Sequence, residues 1–352
     1  MRLCSTEVEP DYLDLLVRTV EPGSFLNSVQ RLNTLFKIYA DSCPVPLPTP
    51  RLIITPEIRN QSECYLPITE VTSHFYSLYR SALSYPPILS STPFYNALSW
   101  ADVFVTLPPN FQFSTNPARL LEVFCADRTL LTEFLFASFL PSRFYKGFGR
   151  YPKQMEFIRS WLAERKKETV HCLDAACGTG EGTYELALML SESGASSEDV
   201  YIEGWTLEPL EVWAAAARSF PHNREREREV RTATLPLMEK GYMRRTIFTC
   251  RDIVRPDSPP DLLRDYGQRR FDIILCNGLL GGPILHKKKE LELAVCNLEE
   301  LLAPNGIMLA ADSFHGGWKQ KCPQSELRAL FETNRLKTFE AGEGIGGLKS
   351  YQ

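Results

Sequence analysis

Metal-binding spacing is missing from this chain of 352 residues. Its ten cysteines, at 4, 43, 64, 125, 172, 177, 250, 276, 296 and 322, form no CxxC pair, and its five histidines do not cluster at metal spacing. The thiols therefore read as reduced, buried packing groups, with Cys172, Cys250 and Cys276 in or beside predicted strands. An excess of one charge is also missing: 39 Lys and Arg against 43 Asp and Glu leave a formal charge of −4, so no overall basic field argues for nucleic acid. No apolar run reaches the roughly eighteen residues that membrane insertion of a helix requires. The opening residues put Glu7 where a secretory signal would need its apolar core, so a cytoplasmic location is expected. No internal repeat is evident.

What is present divides into two halves, an expected domain over residues 1–141 and a second over 142–352. The first is rich in proline and aromatic residues, with helical periodicity over Tyr12 to Val20, Phe25 to Tyr39, Val71 to Leu83 and 117 to 140. Pro44-Val45-Pro46-Leu47-Pro48-Thr49-Pro50 cannot be helical, because each proline lacks a donor and restricts the residue before it. The density of Phe, Tyr and Trp is too high for a disordered tail, so this half should fold and serve as a substrate lid or partner surface.

Beyond an amphipathic helix ending near Trp161 and Leu162, apolar strands alternate with helices. Strands are predicted at Val170 to Ala175, Val200 to Trp205, Thr246 to Cys250, Phe271 to Cys276 and Gly306 to Ala311; helices at 183–192, 210–219, 287–302 and 324–333. Such alternation argues for an α/β fold with a doubly wound, mostly parallel sheet. Leu336 to Ala341, a glycine-rich turn, then Leu348 to Gln352 read as a closing antiparallel hairpin. The run Arg224 to Glu229, alternating in sign, reads as an exposed helix face or loop.

The first of these strands runs into Asp174-Ala175-Ala176-Cys177-Gly178-Thr179-Gly180-Glu181-Gly182 and then into a helical pattern. A strand feeding a glycine turn that opens a helix gathers backbone N–H groups at one point and suits an anionic or polar ligand. The GxGxG spacing differs from the GxGxxG of dinucleotide folds. An acid, three residues, then Gly-Thr-Gly resembles the first motif of the class I S-adenosylmethionine-dependent methyltransferases, with their Rossmann-like sheet. The resemblance implies S-adenosyl-L-methionine as cofactor, with Gly178, Thr179 and Gly180 close to its methionine moiety and Asp174 near its amino group. It also implies that Glu208, after the second strand, accepts from the ribose hydroxyls. Asp252 after the third strand would hold the adenine amine, Ile253 would cover the ring, and Asn277 after the fourth would lie beside cofactor or substrate. Plainer readings stay open: a tight turn for the glycines, a helix-start acid for Glu208, a loop cap for Asp252.

Within class I, residues 142 to 352 look most like the CheR-type protein-glutamate methyltransferases of chemotaxis. Phe144-Tyr145-Lys146 resembles that family's F-F-R segment, which gives Lys146 the place of a functional arginine. Gly180-Glu181-Gly182-Thr183-Tyr184 resembles its GxEpY turn, and Cys276-Asn277-Gly278 its C-R-N segment. The chain departs from the pattern at Gly282, where the family carries a tyrosine. It departs again between Arg218 and Thr246, where about thirty residues replace an inserted β-subdomain.

The leading expectation is methyl transfer by direct displacement to a small-molecule or carboxylate acceptor, for which position and charge suffice. A hydroxyl or amine acceptor would need a base, and Asp312 and His315 after the fifth strand are the candidates. CheR-like methylation of a protein acceptor and a non-catalytic S-adenosylmethionine-binding module are the alternatives.

Overall fold

The computed structural model describes residues 1–6, 8–9, 11–141, 147–165, 169–255, 270–282, 285–311 and 322–350. Lys146, Asp312 and His315, the three catalytic candidates, lie outside the described residues. The chain divides into two compact units, one of residues 1–8, 146–219 and 225–352, the other of 9–145 and 220–224.

The first unit is built on one sheet. Its strands are β1 (Arg2–Cys4), β2 (Val170–Asp174), β3 (Val200–Thr206), β4 (Thr246–Cys250), β5 (Phe271–Leu275), β6 (Leu302–Ala311), β7 (Leu336–Ala341) and β8 (Gly344–Lys349). They lie in the order β1-β4-β3-β2-β5-β6-β8-β7. Strands β4, β3, β2, β5 and β6 are mutually parallel, while β8 is antiparallel to β6 and to β7. Parallel strands are covered on both faces, which is why β5 is buried at all five positions. After β2 the chain winds outward to β3 and β4, then returns to β5 on the other flank of β2. The order therefore reverses at β2, and the crevice beyond the carboxyl ends of such a switch is where open α/β sheets bind ligands.

Two features differ from the sequence reading. Residues 1–141 do not all join the helical half: Arg2–Cys4 pairs antiparallel with β4 as an edge strand of the sheet. Three residues carry too little periodicity to be recognised. The strand is anchored from the side, since Arg2 donates to the Tyr201 hydroxyl, which donates to the buried Glu203 carboxylate at 3.0 Å. The closing hairpin also turns earlier than the glycine run suggests, at Gly342-Glu343, and Gly344 already pairs with Ala341. Gly342 has φ +63°, the positive value at the first central position that a type II′ turn demands. Later glycines belong to the strand because larger residues would collide. A Cβ on Gly344 would come 2.1 Å from the Ala310 carbonyl oxygen, and one on Gly346 would come 2.2 Å from the Phe339 ring.

The second unit is helical, with helices Tyr12–Leu16, Leu26–Ser42, Pro56–Tyr65, Ile68–Ala82, Trp100–Thr106, Pro117–Ala126 and Arg128–Phe139. The segment 117–140 is two helices because Asp127 stops one and caps the next, its carboxylate accepting from the N–H groups of Thr129 and Leu130. The core is aromatic: Phe124 and Phe134 stack at 4.2 Å between centroids, Phe75 and Phe94 at 4.8 Å, and Tyr79 meets Phe139 edge-on at 5.2 Å. Each such pair contributes about 0.5 to 1.5 kcal/mol beyond its buried area. Buried Tyr79 donates its hydroxyl proton to Ser138 at 2.8 Å, so the ring brings no unsatisfied polar group into this core. Among the described residues, no helix is long and apolar enough to cross a membrane.

Candidate cofactor site

Three acidic residues mark the carboxyl ends of three neighbouring strands, Asp174 closing β2, Glu208 just after β3 and Asp252 just after β4. Adjacent strands lie about 5 Å apart, so these ends form a short line across the sheet.

Asp174 is buried, and its carboxylate accepts from the Thr183 hydroxyl at 2.8 Å and from the Ala176 N–H at 3.4 Å. Burial pushes its pKa up from 3.8 to about 6, partly offset by those two bonds, with the Glu181 charge adding a smaller upward push. A carboxyl in that condition gains from a cation placed beside it. Gly182 keeps the space in front of this group clear, because a Cβ there would stand 3.1 Å from Oδ2.

The turn itself needs glycine at two points. Gly178 and Gly180 have φ of +52° and +91°. A Cβ on Gly180 would also approach Phe248 to 2.9 Å and Ala215 to 3.0 Å, so this glycine serves close packing of the turn against β4 and the helix Pro209–Ala217. The helix Glu181–Glu192 starts directly behind it. Thr179 turns its hydroxyl into a buried cluster. It donates to Glu181 Oε2 at 2.7 Å and accepts from Arg226. Tyr184, part of the chemotaxis-like turn, is buried and donates to the Ala215 carbonyl at 2.8 Å. Burial pushes the pKa of its phenol upward, so it acts as a structural post.

Glu208 is buried and caps the helix Pro209–Ala217, with Oε1 accepting from the Leu210 N–H at 3.2 Å. The capping reading and the ligand reading are compatible, since a carboxylate has two oxygens. Asp252 Oδ1 closes an Asx turn, accepting from the N–H groups of Val254 at 2.8 Å and Arg255 at 3.2 Å. Ile253 is buried beside it, its carbonyl accepting from Asn297 at 2.6 Å. Asn277 has partners of its own within the fold. Its amide forms a reciprocal pair with Gln154 at 2.6 and 3.1 Å, and its oxygen accepts from the Ala311 N–H at 2.8 Å. The side chain thus clamps the ends of β5 and β6 to the helix Pro152–Ala163. Glu343 supports the clamp from the hairpin turn by accepting from the N–H groups of Lys153 and Gln154 at 3.0 and 2.8 Å.

Gly282 stands where the chemotaxis pattern carries a tyrosine, and a side chain there would crowd the local backbone. A Cβ there would lie 3.0 Å from the Gly278 carbonyl oxygen and 3.1 Å from that of Leu279. Substituting Gly282 with Ala should lower stability by about 1 to 3 kcal/mol, since rigid backbone must give way. Chemical denaturation checks this, and an unchanged midpoint would show that the turn is loose.

The strand order, the switch at β2, the antiparallel closing hairpin and the acid-GxGxG turn define the α/β, Rossmann-like fold of the class I S-adenosylmethionine-dependent methyltransferases. No family model matches the chain. It is similar to the chemotaxis protein methyltransferases of Listeria monocytogenes and Listeria innocua, 27% identical to each over 156 residues, covering 44% of this chain and 58% of theirs. The chain thus matches less than two thirds of the length of these curated relatives. Among solved structures, the N-methyltransferase NodS from Bradyrhizobium japonicum with S-adenosyl-L-homocysteine covers 64% of this chain and 100% of its own. The two are 15% identical, with a TM-score of 0.39.

Proposed function

We propose that this protein is an S-adenosylmethionine-dependent methyltransferase that moves the methyl group by direct displacement to a small-molecule or carboxylate acceptor. The single observation that carries the reading is the line of acids at the carboxyl ends of β2, β3 and β4 around the glycine turn. Their chemistry fits the cofactor in order. Buried Asp174 suits its ammonium, Glu208 its ribose hydroxyls, and Asp252 with the apolar Ile253 its adenine. When bound, the cofactor supplies a methyl group on a sulfonium. The chain's task is then to orient that methyl toward an acceptor, with no base needed if the acceptor is a carboxylate. Lys146 would place a positive charge near the acceptor, and Asp312 or His315 would take a proton from a hydroxyl or amine.

Methylation of a protein glutamate is the second reading, favoured by the match to the two Listeria relatives. The glycine at 282, where the chemotaxis pattern carries a tyrosine, weighs against it. Incubation with methyl-labelled S-adenosylmethionine and fractionated lysate separates the readings. Label in small molecules supports the first, and label in protein released by base as methanol supports the second. Label nowhere would leave a module that binds the cofactor without turnover.

Glu208→Gln is the sharper test of cofactor contact. The amide keeps an oxygen for the Leu210 N–H, and so keeps the helix cap, but loses the charge offered to the ribose. Affinity for S-adenosylhomocysteine should fall by about 1 to 3 kcal/mol with little change in melting temperature. Unchanged affinity in calorimetry would reduce Glu208 to its capping role.

A further inference from the structure

The stretch of alternating charge, Arg224 to Glu229, is the start of a helix, Arg224–Glu239, with one inward stripe of Arg226, Val230, Thr234 and Leu237. Arg226 is therefore a buried cation, 9% exposed, and its guanidinium reaches the glycine turn. Its Nε donates to Glu181 Oε1 at 3.2 Å, and Nη2 donates to both Glu181 Oε1 and the Thr179 hydroxyl. Thr179 closes the cluster by donating to Glu181 Oε2 at 2.7 Å. The two residues gripped in this way flank Gly180, whose φ of +91° sets the turn.

We infer that Arg226 is a positioning residue for the cofactor site. Acting through Thr179 and Glu181, it holds the glycine turn in the shape that receives the amino-acid end of S-adenosylmethionine, and it cancels the Glu181 charge that would repel that ligand's carboxylate. The inference rests on the cofactor reading above. Two arguments give it weight over a role in stability alone. Asp174 and Glu181 place two carboxylates around one short turn, and a zwitterionic ligand end is favoured there only if one of them is neutralised. A guanidinium whose Nε and Nη2 both donate to Glu181 Oε1, while Nη2 also reaches the Thr179 hydroxyl, fixes direction as well as charge, which a flexible ammonium does not. Alternating charge ordinarily marks a solvated face, which hides the buried Arg226 in the sequence.

Two ligands that share the adenosine part separate positioning from folding. S-adenosylhomocysteine has the amino-acid end, and 5′-methylthioadenosine lacks it. Binding of both is measured by calorimetry to the wild-type chain, to Arg226→Met, and to the double variant Arg226→Met with Glu181→Gln. The double variant leaves no unpaired buried carboxylate, and so keeps the test open if the single variant fails to fold. The expected result is a loss of about tenfold or more for S-adenosylhomocysteine in each variant that folds, with 5′-methylthioadenosine changed by less than about threefold. Parallel losses for the two ligands, or no loss for either, would overturn the inference while leaving the cofactor reading intact. A wild-type chain that binds neither ligand would overturn both.

Discussion

Replacing Asp174 with Asn is expected to make the ligand-free protein more stable while removing most of its response to S-adenosylmethionine. The carboxyl is buried at the end of β2 and its pKa is raised to about 6 from 3.8, chiefly by burial. An acid raised in this way binds its proton more tightly in the folded chain than in the unfolded one. Its contribution to stability is therefore fully present below the unfolded pKa of 3.8 and is lost as pH rises through the folded value of about 6. Above that value the folded chain carries a buried carboxylate at a penalty on the order of 3 kcal/mol. A ligand ammonium offsets the penalty, so cofactor affinity should rise as pH rises through the same window. Asn removes the penalty, keeps an acceptor for the Thr183 hydroxyl, and cannot pair with a cation. Thermal melting as a function of pH checks the sign. The variant should melt above the wild type near neutral pH, the gap should narrow toward about pH 5, and S-adenosylhomocysteine should shift the variant little. A variant that melts lower at neutral pH and still shifts with ligand would remove Asp174 from the site.

The other large effect is expected at Gly180. Alanine there must adopt φ of +91° and place a methyl group 2.9 Å from Phe248 and 3.0 Å from Ala215. The left-handed backbone costs about 1 to 2 kcal/mol and overpacking a further 1 to 3 kcal/mol. Gly180→Ala should thus destabilise the sheet unit by about 2 to 5 kcal/mol. Denaturation followed by far-ultraviolet circular dichroism gives the number. Shortening Phe248 to Leu in the same chain should recover part of the loss, because that ring supplies part of the steric share and Ala215 the rest. No recovery would place the strain in the backbone and the Ala215 contact.

Elements with strong local signals were legible from the residues alone. Thr246–Cys250 and Leu336–Ala341 fall where alternation and apolar content place them, as does the helix Gln324–Thr333. The acid-glycine turn pointed to the carboxyl edge of β2 because only glycine supplies positive φ twice within three residues. What could not be read depends on partners distant in sequence. The strand Arg2–Cys4 exists because β4 offers it an open edge. Glycines 344, 346 and 347 look like a loop until the Ala310 backbone, the Phe339 ring, Phe331 and Leu336 are seen to fill the space where side chains would stand.

The site divides along the same line. Asp174, Glu208 and Asp252 are named by their positions after strands, which a single sequence reveals. Thr179 and Asn277 stand out by their place in a motif, while their partners Arg226 and Gln154 come from helices elsewhere in the chain. A hydroxyl or amide next to a ligand motif carries no sign of which way it faces. Arg226 itself could be found only through the stripe it shares with Val230, Thr234 and Leu237, a spacing hidden beneath the alternating charges.

Calorimetric titration of the 352-residue chain with S-adenosyl-L-homocysteine tests cofactor binding most directly. One saturable site per chain, competed by S-adenosyl-L-methionine and weakened in Glu208→Gln, is the expected result. No heat and no shift in melting temperature, with the protein folded, would contradict the assignment of the crevice beyond β2, β3 and β4 to this cofactor.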